Sequence, residues 1–233
     1  MFNQLKSSHP ADKTLRINDR TVNYREIHRD KGHQLPIIIG LHGYGSSERQ
    51  LETLVPLTIE QPYIYVAPRA FEAVDNGGYG WYPVSVKHNT FNINTTAIAP
   101  ALDDVATIIK ELVAIYNADP AQVFVVGYSM GGSVSMMLAL THPNIATAFV
   151  AMAGIYDPAI LTQLAPDEYL RGVPLFVGHG TLDNLISTSD IQSATEFMKS
   201  HDMLVTLKQY RIPHVVGAQE REDVSAWLNK LLA

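Results

Sequence analysis

The chain has 233 residues, 46% hydrophobic and 17% charged, with a formal net charge of −6. That length suits one large domain, and the balance excludes wholesale disorder and, with no basic run, nucleic-acid binding as the main task. It has no cysteine, which removes disulfides, thiolate metal sites and a cysteine nucleophile together.

The amino terminus, Met1–Lys6, leads into polar residues and has no apolar signal-peptide core. No apolar stretch approaches the ~18–20 residues of a membrane span. The expectation is a cytoplasmic protein. A homodimer stays compatible with the sequence.

The first strand is read at Thr21–His28, which alternates polar and apolar residues. Pro36–Leu41 is a continuous apolar run, the pattern of a strand covered on both faces. Tyr63–Ala67, Val123–Val126, Ala146–Ala151 and Val173–Val177 repeat it, and Leu204–Tyr210 reads as a last strand. Ile98, Leu102, Val105, Ile109, Leu112 and Tyr116 recur at helical spacing. Thr95 or Thr96 is placed to cap that helix, and Pro100 suits its first turn. Ser133–Leu140 and Ile191–His201 also read as helical. A last helix carries Val224, Trp227, Leu228 and Leu231 on one stripe, with Glu220, Glu222 and Asp223 at its start for the macrodipole.

Strands alternating with helices predict an α/β fold, a mostly parallel sheet with helices on both faces. No domain boundary is visible, so residues 1–233 form a single domain. Two connections are long, about 68–94 and 154–172, and read as modest insertions.

The sharpest motif is Gly127-Tyr128-Ser129-Met130-Gly131, G-x-S-x-G directly after an apolar strand and before a helix. A serine on such a turn needs small neighbours, and its hydroxyl then stands at a helix amino end, where a developing negative charge is favoured. A serine needs a base. Nine histidines are available: His9, His28, His33, His42, His88, His142, His179, His201 and His214. Only His214 follows the last strand and precedes the last helix. His42 and His179 each stand before a glycine after a strand, a setting where histidine bonds backbone. Two acids compete: Asp183 leaves room for a βα unit on either side, whereas Asp157 precedes Pro158 and reads as a turn opener. Two backbone N–H donors are expected for an oxyanion, Met130 after the serine and Tyr44 in Gly40-Leu41-His42-Gly43-Tyr44-Gly45. That loop matches neither a dinucleotide nor a Walker phosphate pattern. No histidine pair shows metal-ligand spacing.

Leu41-His42-Gly43-Tyr44-Gly45, Gly80-Trp81-Tyr82, Gly127–Gly132, Gly178-His179-Gly180-Thr181-Leu182-Asp183 and Pro213-His214 resemble, in this order, the α/β-hydrolase fold. More narrowly, the chain is similar to the phospholipase/carboxylesterase family, which includes acyl-protein thioesterases. The resemblance implies a serine esterase without cofactor or metal, acting on a small-molecule ester. It implies Ser129 as nucleophile, Asp183 as acid, His214 as base, and Tyr44 and Met130 as oxyanion donors. Trp81 matches a rim aromatic, and Tyr79 and Tyr82 are expected beside it, contacting an acyl or aryl group. The chain departs from the family at Met130, where glutamine is common, and in the apolar Val215-Val216-Gly217. The second insertion is too short for a large lid, so short- or medium-chain or aryl esters are expected. A peptidase of the same fold and a silent binding module are the alternatives.

Overall fold

A computed structural model describes residues 10–75, 77–87 and 90–233. The reading of Met1–Lys6 and the candidates His9 and His88 lie outside them.

The main sheet has eight strands: β1 (Ala11–Ile17), β2 (Arg20–Arg29), β3 (Ile37–Leu41), β4 (Ile64–Pro68), β5 (Val123–Tyr128), β6 (Ala148–Met152), β7 (Pro174–Gly180) and β8 (Leu204–Tyr210). Their spatial order is β1-β2-β4-β3-β5-β6-β7-β8. From β4 to β8 all neighbours are parallel, whereas β2 runs antiparallel to β4 and β1 antiparallel to β2. Four long helices are α1 (Ile98–Tyr116), α2 (Met130–Thr141), α3 (Thr188–Ser200) and α4 (Ala218–Leu232).

The continuous apolar strands are explained by helices on both faces. Ile37, Ile39, Val125, Phe149, Leu175 and Val177 face one side, in a cluster with residues of α1, α2 and α3. Ile38, Phe124, Val126, Val150 and Phe176 face the other, against Val224, Leu228 and Leu232 of α4 and Leu51 and Val55 of the β3–β4 crossover. Side chains alternate along a strand, so each apolar run supplies both cores. Helix α2 is buried from Met130 to Leu140, which is why its sequence shows no polar face.

Some expectations are corrected. The sheet begins one strand earlier, at β1, whose inner face of Ala11, Leu15 and Ile17 is interrupted by Lys13. Residues 68–94 hold two small hairpins, Glu72–Ala73 with Tyr79–Gly80 and Val84–Lys87 with Thr90–Ile93. Residues 154–172 hold a 3₁₀ segment, Pro158–Gln163, and a helical turn, Asp167–Leu170. Neither threonine caps α1: a 3₁₀ turn precedes it, and the Thr96 hydroxyl donates to the Asn94 side chain at 2.8 Å. On α4, Leu232 is buried and Leu231 is exposed. Glu220 lies in the first turn of α4, as expected, and is buried there.

Leu41 pairs with Gly127, Gly127 with Ala151, and Gly180 with Tyr210. The loops after β3, β5, β7 and β8 therefore open on the same edge of the sheet.

Candidate active site

Ser129 lies between β5 and α2 with φ 54° and ψ −120°, a region that side chain-bearing residues rarely occupy. The strain is held by close packing. A Cβ on Gly127 would come 2.0 Å from the Gly131 carbonyl oxygen, and one on Gly131 would come 2.0 Å from that of Leu41. Both glycines are therefore required by contact. The Ser129 amide donates to the Met152 carbonyl at 2.8 Å, and the Ser129 carbonyl accepts from Ser133 at 2.8 Å.

The structure brings Ser129, His214 and Asp183 together. Asp183 Oδ2 lies 2.7 Å from His214 Nδ1. An ionised carboxylate only accepts, so Nδ1 carries the proton and the bare Nε2 accepts from Ser129 Oγ at 2.8 Å. The Asp183 side chain is fully buried. Burial opposes its charge, but the bond to His214 and the amides of Leu185 and Ile186, at 2.8 and 3.1 Å, outweigh it. Its carboxyl is held below the usual aspartate range.

The other candidates are used elsewhere. His42 is buried. Its Nε2 accepts the Ala70 amide at 3.0 Å and its Nδ1 donates to the Gly43 carbonyl at 2.8 Å. Burial pushes its pKa down to about 4, so the ring stays neutral with both nitrogens engaged. His179 is buried too, but Nε2 lies 3.5 Å from the Thr188 hydroxyl and no backbone bond is made by its ring among the described residues. Asp157 accepts from the Ala159 amide at 2.8 Å and caps the 3₁₀ segment, as its place before Pro158 suggests.

A cleft of about 190 Å³ opens beside Ser129 and His214. Tyr44 and Met130 line it, with Tyr82, Val84, Ile93, Leu185 and Ile186 as its apolar walls. Of the three aromatics expected here, only Tyr82 is in place. Trp81 is buried, its Nε1–H donating to the His42 carbonyl at 2.8 Å and its ring edge-on to Phe71. Tyr79 packs under the Arg69 guanidinium, and its amide donates to Ser46 at 2.8 Å. The reason is local: both residues anchor the 42–46 loop, and an indole N–H buried there must find an acceptor. The aliphatic wall was missed because its residues come from two separate loops. Its one sequence signal is the apolar Leu182, Leu185 and Ile186 around Asp183.

Among the described residues, no cluster of three or more His, Cys, Asp or Glu is arranged to hold a metal ion. No helix among them is long and apolar enough to cross a membrane.

The sequence profile of the family described as Phospholipase/Carboxylesterase matches residues 22–232. The chain belongs to this family of hydrolases. Carboxylesterase SOBER1 of Arabidopsis thaliana is 24% identical over 143 residues, 60% of this chain and 61% of that protein. This chain thus spans about three fifths of that relative. Acyl-protein thioesterase 1 of Mycosarcoma maydis is 29% identical over 119 residues, 48% of each chain. The crystal structure of the Bacillus cereus carboxylesterase superimposes with a TM-score of 0.75 at 18% identity, covering 90% of this chain and 93% of that one. The fold is that of the α/β-hydrolases.

Proposed function

We propose that this protein hydrolyses carboxylic esters, thioesters included, through an acyl-enzyme on Ser129. The observation that carries the reading is the unbroken chain from Ser129 Oγ to His214 at 2.8 Å and on to Asp183 at 2.7 Å. In this reading Nε2 of His214 takes the Ser129 proton as Oγ attacks the carbonyl carbon. Asp183 keeps the imidazole in the required tautomer and stabilises the imidazolium. The amides of Tyr44 and Met130 are the proposed donors to the oxyanion, and that of Met130 opens helix α2, where the partial positive charge lies. His214 then protonates the leaving alcohol or thiol. A water molecule, activated by the same imidazole, attacks the acyl-enzyme and frees Ser129.

The cleft suggests the substrate. Its ~190 Å³ is below the roughly 300–1,000 Å³ of a pocket for a drug-sized ligand. Aliphatic walls and small volume suit a short or medium acyl group, or an aryl group, better than a long chain.

Ser129→Ala should lower kcat by roughly 10⁴–10⁶ and abolish labelling by a fluorophosphonate probe. Wild-type hydrolysis by the purified variant would overturn the assignment. A p-nitrophenyl ester series should peak at short or medium acyl lengths; a peak at long chains would overturn the substrate reading.

A further inference from the structure

Helix α4 begins at Ala218, just beyond the loop that carries His214, and Glu220 lies in its first turn. A first-turn glutamate is ordinarily solvated, yet Glu220 is 1% exposed. Its carboxyl presses on β7: a Cβ on Gly178 would come 2.0 Å from Oε1. The Gly217 amide stands near enough to the same carboxyl to favour its charge. Oε2 has no hydrogen-bond partner among the described residues. Burying a carboxyl so incompletely bonded is costly, and an apolar side chain would fill the space without that penalty. The two glycines beside it are informative. Gly178 is in the strand that leads to Asp183, and Gly217 ends the loop that starts from His214.

The first part of that loop has its own attachments. The carbonyls of Ile212 and Pro213 lie where a Cβ on Gly180 would be, at 2.3 and 2.5 Å, and the Tyr128 hydroxyl donates to the His214 carbonyl at 3.0 Å. At the end of the loop, Gly217 caps the helix turn that Glu220 seats against Gly178 of β7. We infer that Glu220 is a positioning residue for His214, bracing the end of the 211–217 loop against the strand that delivers Asp183. The inference rests on the proposed roles of Ser129 and His214.

The brace works with a neutral carboxyl. Burial pushes Glu220 up to about 7; the Gly217 amide and Arg221 oppose this, and Asp223 adds to it. From the neighbouring strands, Tyr128 and Tyr210 bring hydroxyls, and Lys208, opposite Gly178 on β8, brings an amine that lies 3.9 Å from Asp223. Lys208 is half exposed and directed to Asp223, so among the described residues no cation bonds Glu220 Oε2. Ionisation draws the side chain toward water and loosens the loop.

The test is steady-state kinetics on folded Glu220→Ala and Glu220→Gln, with Ser129→Ala as control. A displacement of about 1 Å at a catalytic group costs on the order of 10²-fold. E220A should therefore lose roughly 10- to 100-fold in kcat while KM, set by a cleft Glu220 does not line, stays the same. E220Q keeps the side-chain shape and the contact with Gly178 and should restore most of kcat. Its activity should also hold above about pH 7, where the wild type declines. Wild-type kcat in E220A, or a loss confined to KM, would overturn the inference. If E220A does not fold, E220Q decides: a pH–kcat profile that superimposes on the wild type overturns it. Hydrolysis surviving in the Ser129→Ala control would remove the proposed function itself, a different result.

Discussion

The Leu182 amide donates to the Ile212 carbonyl at 3.0 Å. This bond joins the loop that carries Asp183 to the loop that carries His214. A second, from the Thr181 amide to the Tyr210 carbonyl at 2.7 Å, continues the pairing of β7 and β8 past the sheet edge. The 2.7 Å contact between Asp183 and His214 is thus the tip of a backbone ladder.

That ladder makes Asp183→Asn informative. The backbone bonds stay and the amides of Leu185 and Ile186 keep an oxygen acceptor. The tautomer of His214 is no longer enforced. Under the proposed mechanism kcat should fall by about 10⁴ with the fold intact, as read by single-substrate kinetics beside circular dichroism. Activity within tenfold of wild type would remove Asp183 from its proposed role.

Acid stability supplies a second readout of the same residue. The Asp183 pKa is lowered from 3.8, so its contribution is complete above the unfolded value and is lost as pH falls through the folded one. Denaturation followed below about pH 4 should show a steeper loss for wild type than for Asp183→Asn. Parallel curves would contradict the lowered pKa.

Glu220 runs with the opposite sign. Its pKa is raised from 4.5 to about 7, so the native state holds a proton that the unfolded chain has released. Its contribution falls as pH rises from about 4.5 to about 7. The stability of Glu220→Gln relative to wild type should grow across that window, by up to about 1.4 kcal/mol per pH unit. Urea titrations at several pH values would measure it, and a constant difference would show that the carboxyl titrates normally.

Trp81→Phe separates anchoring from substrate contact. The variant leaves the buried His42 carbonyl without its donor, a loss of about 1–3 kcal/mol. Because Trp81 does not line the cleft, KM for a short ester should stay within about twofold while the urea midpoint drops. A large KM change with unchanged stability would return Trp81 to the pocket.

Gly131→Ala tests the elbow. The added Cβ would meet the carbonyl oxygens of Leu41 and His42 at 2.0 and 2.7 Å. Backbone atoms cannot rotate away as a side chain can, so the cost should reach or exceed the ~1–3 kcal/mol typical of overpacking. Thermal melting is the measurement; a wild-type Tm would mean that β3 and α2 can separate.

The sequence by itself determined the α/β alternation, because strands covered on both faces must be continuously apolar. It also determined the serine turn, whose glycines and flanking elements are contiguous in the chain, and it singled out His214 by its position after the last strand. The edge strand β1 was not read: Lys13 interrupts the apolar face of Ala11, Leu15 and Ile17, and only the fold supplies its partner, Glu26. The order β1-β2-β4-β3-β5-β6-β7-β8 depends on crossovers that no local pattern records. Only tertiary structure decided which aromatic reaches the cleft, since Tyr79, Trp81 and Tyr82 are nearly adjacent and it is bonds to Ser46 and His42 that hold the first two away from it. The same holds for Glu220. In sequence it is one of three acids at a helix start; the close approach of Gly178 to its carboxyl is what makes it a buried group under the His214 loop.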